Sequence, residues 1–102
     1  MQKRKQRKEF LTKMLGSNVY NIEYLKKVVS ADIPALPKSI RKQIKQAIEE
    51  RLSVDPIGFG KPLRYNLKGF RRLRVGDYRI VYKIENKVVL ISAIKHRKDI
   101  YE

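Results

Sequence analysis

Residues 67–84, LKGFRRLRVGDYRIVYKI, decide how the chain folds. Two runs with a period of two flank the dipeptide Gly76-Asp77. Residues 67–75 read as one strand and 78–84 as its return. A glycine-first pair between alternating runs marks a two-residue hairpin turn, because glycine reaches positive φ without steric cost. Counting outward from the turn, Val75 faces Tyr78, Arg74 faces Arg79, Leu73 faces Ile80 and Arg72 faces Val81. Side chains alternate between the faces of a sheet. Leu73, Val75, Tyr78, Ile80 and Tyr82 therefore share one face, expected to be the core side. Phe70, Arg72, Arg74, Arg79, Val81 and Lys83 share the other. Like charges directly opposed in a sheet destabilise it, so Arg74 opposite Arg79 asks for an anion between them. A phosphate gripped by two guanidinium forks answers that need. The bland alternative is a pair of arginines splayed into water.

The rest of the chain is read outward from this hairpin. Glu85-Asn86 predicts a second turn, and residues 87–94 (KVVLISAI) form the nearly continuous apolar run of a buried central strand. Upstream, the glycines and prolines of 55–63 (DPIGFGKPL) predict a loop. Residues 37–53 predict a helix with Pro37 at its first helical position and Pro56 beyond its end. Ile40, Ile44, Ala47, Ile48 and Leu52 fall on one face of it. A helical turn is expected near 30–36, with Ser30 as candidate cap and Pro34 in its first turn. Residues 18–25 alternate as a strand. The expected fold class is α+β. A small antiparallel sheet, made of a three-strand C-terminal meander plus an N-terminal strand, carries two helices packed on one face. Its other face is free for function. Residues 18–102 make a single domain, and 1–17 a basic N-terminal extension, helical or disordered.

Composition narrows the partners. The 102 residues include 25 Lys and Arg against 10 Asp and Glu, a formal charge of +15, which favours nucleic acid, an acidic protein or an anionic membrane. No apolar run approaches the roughly 18 residues that span a bilayer, and no long apolar run follows the basic N-terminus as in a secretory signal. The chain has no cysteine and one histidine, His96, so a structural metal site is not expected and a reducing cytoplasm suits it. Six of the first 13 residues are basic, against Glu9 alone. That segment reads either as a frayed tail or as an electrostatic arm on RNA.

The C-terminal tail adds chemistry to the charge. Lys95, His96, Arg97, Lys98 and Tyr101 follow directly from the apolar strand. If that strand lies beside the hairpin, its end can bring an imidazole and a phenol near the arginine pair. RNA cleavage without metal needs an acceptor for the 2′-hydroxyl proton, a donor for the 5′-oxygen and cations for the phosphorane-like charge. No carboxylate pair, metal-ligand cluster, glycine-rich phosphate loop or Ser/Cys nucleophile motif competes with this set.

The runs LPKSIRKQIKQAIEERL (36–52), GKPLRYNLKGFRRLRVGDYRIVYKI (60–84) and IKHRKDIYE (94–102) together resemble the RelE/ParE toxin superfamily, in its RelE-like branch. The likeness covers about residues 19–102, with LRVGDYRIVY and the trailing HRxxxY its most specific parts. It implies a RelE-like fold and a toxin of a type II toxin–antitoxin system. It also implies ribosome-dependent mRNA cleavage in the A site, leaving 2′,3′-cyclic phosphate and 5′-hydroxyl ends. No cofactor is implied. The family's catalytic positions would fall on Arg74, Arg79, His96, Arg97 and Tyr101, with acid and base among the last three left open. Lys68, Arg71, Arg72, Lys83 and Lys95 would contact messenger or ribosomal RNA. A RelB-like, acidic antitoxin would be the protein partner. Two alternatives stay open: a ParE-like inhibitor of DNA gyrase, and a catalytically silent relative that only binds an antitoxin.

Overall fold

A computed structural model describes residues 19–64 and 67–99. The N-terminal extension and Tyr101 lie outside the described residues. The chain forms an α+β fold around one five-stranded sheet. Its strands are β1 (Asn21–Tyr24), β2 (Lys61–Pro62), β3 (Phe70–Val75), β4 (Tyr78–Glu85) and β5 (Val88–His96), in the order β1-β5-β4-β3-β2. The hairpin forms in the register counted from its turn: Arg74 pairs Arg79, Leu73 pairs Ile80 and Val75 pairs Tyr78. Gly76 takes φ +59°, the conformation that only glycine reaches freely.

The sheet corrects the expectation in two respects: β2 adds a fifth strand, and the strands are not all antiparallel. It is mixed, because β1 runs parallel to β5. The helical segment carries the chain from β1 at one edge to β2 at the other, and the β3–β4–β5 meander then returns to lie beside β1. The second turn also shifts by one residue. β4 continues to Glu85, and Asn86 takes the positive φ of 57°, which asparagine tolerates better than most residues.

Three helical elements lie between β1 and β3. α1 (Val28–Asp32) is wound wide, the Ile33 amide donating to the Val28 carbonyl at 2.8 Å. It starts ahead of Ser30, which is exposed in its middle, and Pro34 follows its end. Burial decides this placement over capping chemistry, since Val28 is fully buried. α2 (Lys38–Ala47) continues without a break into wide turns over Ile48–Leu52. Pro37 is its N-cap and not its first helical residue. Pro37 has an extended ψ of 149°, and its carbonyl accepts the Arg41 amide at 2.9 Å. The expected loop 55–63 holds regular structure instead. The Asp55 carboxylate accepts the Gly58 amide at 2.9 Å, and Pro56 opens the one-turn α3 (Pro56–Phe59) ahead of β2.

Ile44, Ala47, Ile48 and Leu52 of α2 and its continuation bury against Leu73, Ile80, Tyr82, Val89, Ile91 and Ile94 of the sheet. All six strand residues belong to one face by register. Val28 of α1 joins the same core. The helices therefore cover one face, and the arginine-bearing face stays outside the core. No described helix is long and apolar enough to cross a membrane.

Candidate nucleic-acid interface

The face that the described helices leave uncovered can be built strand by strand. β3 presents Phe70, Arg72 and Arg74, and β4 presents Arg79, Val81, Lys83 and Glu85. The β4–β5 register then decides what stands beside Arg79. Arg79 pairs Lys95, while His96 pairs Tyr78 on the helix-covered side. Arg74, Arg79 and Lys95 thus form a row of three cations across three neighbouring strands. Adjacent strands lie about 4.8 Å apart, so both cross-strand neighbours of Arg79 carry its own sign. The row itself contains no carboxylate. Along the strands from it lie Val81 and Ala93, which pair each other and give a small, apolar floor.

One carboxylate touches the row from the side. β1 accompanies β5 only as far as Ile91. Beyond that point the Ile94 amide would lack a partner, and α1 supplies one. The buried Asp32 carboxylate accepts Ile94 N–H at 3.0 Å and Lys95 Nζ at 3.1 Å. Lys27 Nζ lies 3.8 Å away on the same group. The Lys95 ammonium, with its side chain 43% exposed, is thereby fixed in place at the rim. Lys83, farther along β4, is paired differently. It sits 3.9 Å from Glu85 and 5.7 Å above the Phe70 ring centre.

The expectation that β5 brings His96 beside the arginines is corrected. β5 does lie beside the hairpin, but Lys95, not His96, faces Arg79. The His96 ring packs edge-on against Tyr78 with centroids 5.1 Å apart. Its Nδ1 accepts the Lys98 amide at 3.2 Å, which leaves Nε2 as the protonated nitrogen of the neutral ring. Arg97 begins a tight turn, Arg97–Asp99, that docks on the hairpin: its amide donates to the Asp77 carbonyl at 2.8 Å, and its side chain lies 3.8 Å from the Asp77 carboxylate. Lys68 sits in the exposed turn that leads into β3.

Arg71 does not join the row. Alternation from Leu73 puts it on the helix side, opposite Tyr82. Its guanidinium donates to the carbonyls of Ile57 at 2.7 Å and Gly60 at 3.1 Å. Beside it, the Tyr82 hydroxyl donates to the Pro56 carbonyl at 2.6 Å. Burial pushes that hydroxyl above its ordinary value of 10.0, and the neighbouring Arg71 guanidinium offsets part of the shift. Lys61, which sequence reasoning left in a loop, pairs Arg72 across β2 and β3 and so shares the arginine face.

A small α+β domain with helices on one face of its sheet and a cationic row on the other is the class this architecture defines. The sequence of residues 22–101 matches the family described as ParE toxin of type II toxin–antitoxin system, parDE. Toxin RelG of Mycobacterium tuberculosis is 39% identical over 72 residues, covering 69% of this chain and 83% of that protein. Toxin RelE3 of Methanocaldococcus jannaschii is 34% identical over 74 residues, covering 70% and 84%. In the crystal structure of the toxin–antitoxin complex RelBE2 from Mycobacterium tuberculosis, a chain 31% identical superposes with a TM-score of 0.73 over 79% of this chain and 94% of that one. The chain belongs to the RelE/ParE superfamily of type II toxin–antitoxin toxins.

Proposed function

We propose that this toxin is a ribosome-dependent endoribonuclease, an mRNA interferase, that cleaves without a metal ion. The observation that supports the reading is the row Arg74–Arg79–Lys95 on the uncovered face. Three cations on adjacent strands, with Asp32 reaching Lys95 from the side, concentrate positive charge that suits a phosphate. They present positive charge where a divalent-ion site would present carboxylates. In the proposed step the 2′-oxygen attacks the adjacent phosphorus, and the bond to the 5′-oxygen breaks. A base takes the 2′-hydroxyl proton and an acid gives one to the leaving oxygen. The products are a 2′,3′-cyclic phosphate and a 5′-hydroxyl. Arg74 and Arg79 hold the scissile phosphate and stabilise the charge that builds on it. Lys95 is the third cation. Proton transfer falls to Lys95 and to the tail residues Arg97 and Tyr101, while His96, on the side of Tyr78, supports the tail by packing. Arg72, Lys83, Lys68 and the basic N-terminal extension contact messenger or ribosomal RNA.

A RelB-like antitoxin is the proposed protein partner, since related chains are solved as toxin–antitoxin complexes. An acidic antitoxin would neutralise a domain of this charge. Both partners place the chain in the cytoplasm. The matching family is described by its ParE members, which keeps a gyrase-directed toxin as the second reading. Induced expression separates the two. The nuclease reading expects arrested translation with cuts in ribosome-bound mRNA and unchanged DNA supercoiling. Intact mRNA with altered supercoiling would overturn it in favour of the second.

A further inference from the structure

We propose that Lys61 is a phosphate-contacting residue, which grips the RNA backbone at the nucleotide next to the one held by the arginine row. The inference rests on the nuclease reading and adds a second contact point to the same face. Lys61 is exposed and pairs Arg72, so its side chain shares the face of Arg72 and Arg74. It stands two strands from Arg79 and two residue positions farther along the sheet. Strand spacing and rise put their Cα atoms roughly 12 Å apart. A phosphate seated over Arg74 and Arg79 is therefore too far to be centred on Lys61 as well, and a neighbouring phosphate of the same strand falls to it.

The segment that presents Lys61 is anchored from the helix side. Arg71 binds the carbonyls of Ile57 and Gly60, the Tyr82 hydroxyl binds that of Pro56, and the Asp55 carboxylate closes the turn on the Gly58 amide. A Cβ on Gly60 would run into the Tyr82 hydroxyl and the Arg72 carbonyl, so the backbone there lies directly on the sheet. On the other side, Leu63 N–H donates to the Phe70 carbonyl at 2.9 Å. Pro62 fixes its own φ and offers no amide to extend the edge. Lys61 is thus a cation on a backbone held from both sides. Arg71 and Tyr82 act as positioning residues for it from the opposite face of the sheet.

The test is single-turnover cleavage of mRNA on programmed ribosomes, titrated with the full chain at two salt concentrations. Lys61→Ala is expected to raise the half-saturating toxin concentration severalfold and leave the saturated rate within about twofold, as loss of a uniform binding contact does. One phosphate contact fewer on single-stranded RNA lowers the salt slope by about 0.7, so the gap to wild type narrows about 2.6-fold from about 50 to about 200 mM salt. Lys61→Arg should restore wild-type behaviour. Tyr82→Phe should show a weaker defect of the same kind that vanishes in the Lys61→Ala background. Cleavage by the wild type with Lys61→Ala indistinguishable from it overturns the inference and leaves the nuclease reading standing. A loss in saturated rate with unchanged half-saturation also overturns it. No cleavage by the wild type means the nuclease reading fails, and the role of Lys61 falls with it.

Discussion

Replacing Arg74 with glutamine should stabilise the fold while disabling the toxin. Arg74 is exposed on β3 and stands directly opposite Arg79, whose other neighbour, Lys95, is also a cation. An opposed like-charge pair costs about 0.2–1 kcal/mol, so Arg74→Gln should gain on the order of 0.5 kcal/mol. In a domain of this size that corresponds to a rise in Tm of about 2–4 °C. Thermal unfolding followed by circular dichroism at low salt measures it directly. The gain should fade toward 1 M salt, where the Debye length shrinks to about 3 Å. Toxicity in growing cells should fall in the same variant, because the proposed reaction assigns the scissile phosphate to this pair. A variant that is less stable than wild type, or whose gain is indifferent to salt, refutes the argument that Arg74 and Arg79 repel each other across the ladder.

Other consequences can be checked independently. Asp32→Asn leaves the Ile94 amide and Lys95 ammonium with a weaker acceptor; urea unfolding should show a loss of about 1–3 kcal/mol. His96→Ala removes the ring contact with Tyr78 and should lower Tm while cleavage persists within about tenfold, whereas Lys95→Met should cut the saturated cleavage rate by about a hundredfold or more. The reverse ranking would mean that the tail rearranges on RNA. Tyr82 should titrate above the ordinary tyrosine value in an ultraviolet alkaline titration. Its raised value means that its contribution to stability is fully present below 10.0 and is lost as pH rises through the folded value. Tyr82→Phe should remove that part of the alkaline unfolding curve.

The hairpin was fully legible because its turn fixes the register and the register fixes every face. Arg74 opposite Arg79 and Leu73 opposite Ile80 follow from Gly76-Asp77 alone. The α2 stripe was legible for the same reason, a period set by local geometry. What escaped were pairings made over distance. Nothing in 18–25 says that β1 lies parallel to β5, because the direction is set by the helices that carry the chain across. The irregularity between Val81 and Tyr82 in the β4–β5 pairing could not be counted from an apolar run, so the tail's faces stayed open. Without that step Arg79 would face Ile94, and with it Arg79 faces Lys95. The charge of Arg71 groups it with the RNA-facing basic residues, but alternation from Leu73 assigns it to the helix side. Lys61 was hidden because a two-residue strand leaves almost no pattern.

The central claim is that Arg74 and Arg79 jointly hold a scissile mRNA phosphate. The most direct test compares the saturated rate and end chemistry of mRNA cleavage on programmed ribosomes for wild type, Arg74→Gln, Arg79→Gln and the double variant. The account predicts cyclic-phosphate ends from the wild type and losses of about a hundredfold or more in each single variant. The double variant should be little worse than the poorer single, as for groups that act as a unit. Unchanged rates in both single variants, or no cleavage by the wild type, would contradict it.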